Sequence, residues 1–458
     1  MKKVPDSLVI IFVVMFLFAG LSWLVPAGEF ERALVNGRNV VVPGTYHTTG
    51  VEANPQGFWD WLMAPIKGFM SASEIVGFVL LVGGAFTVVT GTGAIDAFLL
   101  RILRIAKDQT HYKNAVIILL MFIFSLGGMS FGMSEETLVF VLVTIPLARS
   151  LGYDNFVGVA IPFIAAGVGF AGAAFNPFTV AIAQGIAELP TFSGWQYRLV
   201  VWFGMTLIAI VFVLVYANRI HRDPSRSLLK HLKLEFKPIE EVPLTSGRVS
   251  VLLLFLLALA AVMYGAVALE WYIPEICALF ILLAMTSAAV TRMGTSAMIK
   301  HFYTGAKDML PAALVIACSK AILVLAEDGK IIDTVLYHTA GLVEGLPTYL
   351  SVQVMFLVHG GINFFIPSGS GQAAVTMPLM TPLADLMGIT RQTAVLAFQF
   401  GDGLFNFVIP TSGILMGILS IAGIPFNLWI KWVWKLFLLL VLAGMFFLAL
   451  PTLFFEWN

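Results

Sequence analysis

Residues 127–137 read Gly127-Gly128-Met129-Ser130-Phe131-Gly132-Met133-Ser134-Glu135-Glu136-Thr137, and 233 residues later Gly360-Gly361-Ile362-Asn363-Phe364 repeats the opening, running on into Pro367-Ser368-Gly369-Ser370-Gly371-Gln372. The apolar arms that lead into them, residues 114–126 and 349–358, are short, and each tip is followed by a second short apolar arm. An apolar helix needs about 20 residues to cross roughly 30 Å of hydrocarbon. Irregular backbone at membrane depth is tolerated only when protein buries it or a cavity hydrates it. The pattern therefore predicts two re-entrant hairpins, at about 114–150 and 349–386.

Working outward, the rest of the chain repeats with them. Phe175-Asn176 is matched by Phe405-Asn406, Pro177 by Pro410, Ile95-Asp96 by Ile332-Asp333 and Trp195 by Trp429, all at separations of 230 to 237. Two long apolar stretches, 156–187 and 393–422, are interrupted at Phe175-Asn176-Pro177 and Gly401-Asp402-Gly403 and read as broken crossings. Full crossings are expected at 8–26, 69–91, 195–218, 249–269, 274–290, 309–325 and 429–450. The predicted fold is an all-α polytopic membrane protein of two inverted repeats, with about nine crossings, two of them discontinuous. Residues 1–218 form the first repeat, 219–248 a cytoplasmic loop, 249–269 the linking helix and 270–458 the second repeat. On this map the first hairpin opens to the cytoplasm and the second to the outside.

Composition agrees. Of 458 residues 59% are apolar and 11% charged, and 26 basic side chains balance 26 acidic ones. Soluble domains carry about 25% charge, so a soluble enzyme, a nucleic-acid binder and a disordered chain are excluded. Cys277 and Cys318, both in apolar runs, make neither a disulfide framework nor a thiolate zinc site. With the amino terminus inside, nineteen of the 26 basic residues fall on the cytoplasmic face, six outside and Lys320 within the membrane. That is the bias of the positive-inside rule. Lys2-Lys3 ahead of an apolar run also fits a cleavable signal peptide, but the charge map works with the run retained as a crossing. The polar stretches 29–56 and 219–247 read as loops, since neither can bury a core.

Polar groups at membrane depth are the candidate site. A carboxylate there costs several kcal/mol unless paired or hydrated, so Glu135 and Glu136, with Ser134 and Thr137, are read as lining a cavity. The plainer reading makes Ser134 an N-cap with acidic residues in the first turn. Ser368, Gly369, Ser370, Gly371 and Gln372 form a small-residue tip at a helix start, a seat for a carboxylate. Asn176 interrupts one broken crossing; Gln399, Asp402, Asn406, Thr411 and Ser412 cluster at the other. Freed carbonyls at such breaks can hold Na⁺, and the candidate Na⁺ ligands are Asn176, Ser134, Asn406 and Ser370. Lys320 could neutralise Asp402 or a glutamate, hold a substrate carboxylate, or exchange a proton in coupling. No catalytic residue and no bound cofactor other than a coupling Na⁺ or H⁺ is expected.

On these residues the chain resembles the YfcC-type carriers, grouped with the anaerobic C4-dicarboxylate carriers of the ion transporter superfamily. The resemblance runs over nearly the whole length. It is most specific at Gly132-Met133-Ser134-Glu135-Glu136, Asn176-Pro177-Phe178, Ser368-Gly369-Ser370-Gly371-Gln372-Ala373-Ala374 and Gln399-Phe400-Gly401-Asp402-Gly403. It implies a scaffold domain, a transport domain with two hairpins and two broken helices, an elevator-like movement, a homodimer, and a place in the bacterial cytoplasmic (inner) membrane. Dicarboxylate carriers move succinate or fumarate, whereas the YfcC-type carriers are named as basic amino acid antiporters exchanging arginine and ornithine. Two glutamates and Asp402 against Lys320 suit a ligand with a cationic end and a carboxylate.

Three function classes follow. A secondary transporter, antiporter or ion-coupled symporter, is favoured, with a basic amino acid as substrate and a C4-dicarboxylate as the alternative. An intramembrane hydrolase would need Ser370 or Ser368 within hydrogen-bond reach of His359. A channel would also contain broken helices, but two oppositely facing hairpins suit alternating access better.

Overall fold

The computed structural model describes residues 7–35, 38–49, 54–98, 101, 110–176, 178–232, 243–269, 271, 273–340, 346–455 and 457. Lys2, Lys3 and Pro177, which entered the sequence reading, lie outside the described residues. The chain is almost entirely helical. Helix α1 (Ser7–Leu24) is followed by two short antiparallel strand pairs, Gly28–Glu29 with His47–Thr48 and Arg32–Val35 with Arg38–Val41. Next come α2 (Phe58–Ser71) and α3 (Ser73–Gly91), then α4 (Thr110–Phe131) and α5 (Thr137–Ser150), the two arms of the first hairpin. The first broken crossing is α6 (Asn155–Ala171), wound as a π-helix over Ala160–Ile164, and α7 (Val180–Ile186). Helices α8 (Trp195–Arg222), α9 (Ser246–Ala268) and α10 (Ile273–Val290) lead to α11 (Thr295–Asp328). The second half continues through α12 (Ile332–Ala340), the hairpin arms α13 (Thr348–Asn363) and α14 (Gly369–Leu386), the broken crossing α15 (Arg391–Phe405) and α16 (Gly413–Ala422), and α17 (Phe426–Leu453).

Six described helices are long and apolar enough to cross a bilayer. Phe16, Leu207, Val215, Leu257, Leu439 and Phe446 turn outward from α1, α8, α9 and α17. A soluble monomer rarely exposes so much contiguous apolar surface; lipid accounts for it.

Several boundaries differ from the sequence reading: the arm expected at 349–358 is the longer α13, the crossing expected at 69–91 is divided between α2 and α3 at Ala72, and two further differences are due to glycine. The arm expected at 114–126 is part of α4, whose 22 residues carry the helix through Gly127 and Gly128. A Cβ at Gly128 would overlap the Ala166 carbonyl of α6. The glycine is there to let two backbones touch, and the helix does not stop at it. Gly401 and Gly403 likewise lie inside α15, where side chains would collide with His359 and with Ala171. The second break is therefore at residues 406–412, opposite the one at 172–179. The crossing expected at 309–325 lies in the C-terminal half of the 34-residue α11, about 51 Å long at 1.5 Å per residue, which ends at Asp328.

The two broken crossings run antiparallel. Asn155, at the start of α6, donates through Nδ2 to the Ala422 carbonyl at the end of α16 (2.7 Å). Gln392, 237 positions later at the start of α15, accepts from Gln184 of α7 (3.1 Å). Midway, Gln399 donates to the Phe170 carbonyl at 2.6 Å. Matched residues thus make matched contacts in opposite directions, as inversion requires, and both breaks come to the same level.

Candidate functional site

Between the breaks and the hairpin tips lies a cavity of about 170 Å³. A water occupies about 30 Å³ of liquid, so the space suits one small metabolite. Eleven of the sixteen expected site residues line it: Ser134, Glu135, Glu136, Lys320, Ser368, Gly369, Ser370, Asp402, Asn406, Thr411 and Ser412. The other five stand behind it. Thr137 donates its hydroxyl to the Ser134 carbonyl, and Gln372 donates to the His359 carbonyl at 2.8 Å. Gln399 holds Phe170 as described, and Gly371 lies beside Ser368. Asn176 is fully buried against Gly132, whose φ of +73° and lack of a side chain let the first tip turn over the amide.

The first tip is built from 132–137. Glu136 Oε2 accepts the Ser134 backbone N–H at 3.0 Å, and Glu136 itself is the N-cap of α5. Ser134 does not cap the helix, because the turn at Glu135-Glu136 places it two residues upstream of the cap. The second tip is bare. Ser368 is the N-cap of the 18-residue α14 and makes no side-chain capping bond. The first N–H groups of a helix have no partner within it, and those of α14 start among cavity-lining residues. Ser412 Oγ caps α16 by accepting from Leu415 N–H at 3.4 Å.

Charge is uneven. Among the described residues, Glu135, Glu136 and Asp402 line the cavity with Lys320 as the one basic side chain. Both Asp402 carboxylate oxygens are buried with no hydrogen-bond partner among the described residues. Its backbone carbonyl, by contrast, accepts from Asn363 (2.9 Å) and Asn406 (2.8 Å). Around it Thr179 Oγ1, Asn363 Oδ1, Gln372 Oε1 and Gln399 Oε1 are also buried and unpartnered, the amide nitrogens of the last three being spent on carbonyls. The first break contributes Thr179 Oγ1 and also an orphan donor, Asn176 Nδ2, because Asn176 Oδ1 accepts the Phe178 N–H at 2.9 Å.

Sequence reasoning missed Thr179, Trp271, Ile75 and Ile316, all cavity-lining. Thr179 follows the Asn176-Pro177 break and could have been taken with it. Trp271 gave no cue, since a tryptophan at the end of a crossing reads as an interfacial anchor. His359, the base a hydrolase would need, does not line the cavity that holds Ser368 and Ser370, and its ring nitrogens bond to neither.

The Escherichia coli (strain K12) protein named "Putative basic amino acid antiporter YfcC" is 36% identical over 469 aligned residues, covering 93% of this chain and 92% of its own. An uncharacterized Haemophilus influenzae protein is 26% identical over 96% of this chain and 95% of its own. The solved Alcanivorax borkumensis YdaH transporter aligns over 98% of both chains at 14% identity and a TM-score of 0.44. Neisseria gonorrhoeae MtrF, described as illuminating a class of antimetabolite efflux pumps, aligns over 98% of this chain and 95% of its own at 17% identity and 0.42. The model of the C4-dicarboxylate anaerobic carrier family matches residues 4–452, and the chain belongs to that family of membrane transporters.

Proposed function

We propose that this transporter is a secondary carrier, an antiporter or ion-coupled symporter, for a basic amino acid such as arginine or ornithine. The observation that carries the reading is the balance of three carboxylates to one ammonium in the cavity. A ligand with one carboxylate and two cationic groups fits that balance. Lys320 and the bare amino terminus of α14 would take the carboxylate, and Glu135, Glu136 and Asp402 the cationic ends. A C4-dicarboxylate, the cargo in the family's name, would bring two more negative charges and need coupling cations to neutralise them.

Na⁺ or H⁺ is the coupling ion in this reading, and chemistry favours the Asp402 side for it. There the orphan atoms are oxygens, suited to a hard cation or, for Asp402 itself, to a proton. Asn176, one of the candidate Na⁺ ligands, presents a donor instead. A homodimer in the bacterial cytoplasmic membrane, amino terminus inside, completes the proposal.

Counterflow in proteoliposomes tests it. Labelled arginine should accumulate in vesicles preloaded with ornithine, and Lys320→Ala or Asp402→Asn should abolish the accumulation while the protein still purifies as folded. Accumulation driven by succinate and not by ornithine would refute the basic amino acid reading. Saturation with substrate separates a carrier from a channel.

A further inference from the structure

We infer that Trp271 is a specificity-determining residue, whose indole face receives the cationic end of the transported molecule. The inference rests on the basic amino acid reading above and deepens it. Trp271 lies between α9 and α10, outside both hairpins and both broken crossings, yet it lines the same cavity as Glu135, Glu136 and Asp402.

Its position is fixed by backbone. The Trp271 N–H donates to the Gly265 carbonyl at 3.0 Å, a carbonyl that also accepts the Leu269 N–H at 3.0 Å. The indole packs so closely over Gly265 that any side chain there would overlap the ring carbons. Part of the ring is thus pressed against the end of α9, while the residue stays half-buried at the cavity wall. Among the described residues the basic group that sits over a tryptophan ring is Arg198, and its partner is Trp457. Trp271 therefore lines the cavity with no resident cation over its ring among the described residues.

A carboxylate attracts any cation, including Na⁺ and a protonated amine. An aromatic face adds a preference for a large, weakly hydrated cation such as guanidinium, and tryptophan is the strongest of the three aromatic residues in this role. The ring face is the negative end of its quadrupole, so it also disfavours the second carboxylate of a dicarboxylate. Trp271 and the acidic groups together would separate arginine from its neutral isostere citrulline, which keeps the shape and loses the charge.

The experiment compares inhibition of labelled-substrate counterflow by arginine and by citrulline in wild-type, Trp271→Phe and Trp271→Leu proteoliposomes. The readout is the ratio of the two inhibition constants. We expect Trp271→Leu to lower arginine's advantage about 3- to 30-fold, with Trp271→Phe restoring most of it, since phenylalanine keeps a ring. An unchanged ratio in Trp271→Leu, or equal weakening of both compounds, would show a packing role and overturn the inference. Wild-type exchange of succinate with no response to arginine would overturn the basic amino acid reading itself, whatever the variants do.

Discussion

The two halves of the site share a fold and divide the chemistry. In the first half the carboxylates are on the hairpin tip, Glu135 and Glu136, and the break carries an amide, Asn176. In the second half the tip is uncharged, Ser368-Gly369-Ser370, and the carboxylate has moved onto the broken crossing as Asp402. Matched contacts relate the halves by inversion, and their side chains differ in where the charge sits. The first tip anchors one of its acids, Glu136, with its own backbone through the Ser134 N–H. The second leaves both Asp402 oxygens unpartnered among buried acceptors. A symmetric frame supplies two facing walls; the exchange of charge between tip and break is what lets one wall differ from the other.

The largest effect should come from removing that asymmetry. Asp402→Asn is expected to lower arginine counterflow at least about 100-fold while the melting temperature in detergent holds or rises. An unpartnered buried carboxylate costs stability, and a neutral isostere relieves the cost. A lower melting temperature with transport retained would mean that Asp402 is a structural group. On the other half, Glu135→Gln and Glu136→Gln should each raise the half-saturation for arginine about tenfold, the loss of roughly 1.4 kcal/mol of charge attraction. Equal kinetics in both variants and wild type would remove the first tip from the site.

The symmetric frame can be tested separately from the chemistry. Gly128→Ala and Gly401→Ala press a methyl group into a facing backbone or side chain, and overpacking of this kind costs about 1–3 kcal/mol. Gly361 has no neighbour within 4 Å of where a Cβ would stand, so Gly361→Ala should be neutral or slightly stabilising. Thermal unfolding of the three variants checks the contrast, and equal shifts would contradict the close helix contacts. The smallest effect belongs to the paired amides at the two ends of the broken crossings. Each makes two side-chain hydrogen bonds, Asn155 also accepting from Arg149 and Gln392 also donating to Ser193, so Asn155→Ala and Gln392→Ala should each cost about 1–2 kcal/mol, by similar amounts if the clamps are equivalent.

Much of this was legible in the residues. Composition and charge bias give a polytopic membrane protein, and the Gly-Gly-x-x-Phe and Phe-Asn pairs at a spacing near 233 give the repeat. Eleven of the sixteen expected site residues line the cavity because a polar group at membrane depth is too costly to be idle. The misses share one cause. Gly128, Gly401 and Gly403 look like breaks in a string of letters, and only the neighbouring helix shows that they are contact points. Trp271 enters the site from a segment far from both repeats' motifs, a proximity that no local pattern encodes. Lys320 shows the same limit, since its spacing leaves Glu135 and Asp402 equally available as partners.

The most direct test is calorimetric titration of arginine into the purified protein, its Glu136→Gln variant and its Asp402→Asn variant. Each acid comes from a different half of the chain, so a pocket assembled by both predicts saturable binding to wild type and at least about tenfold weaker binding to either variant. Wild-type affinity in either one would contradict it.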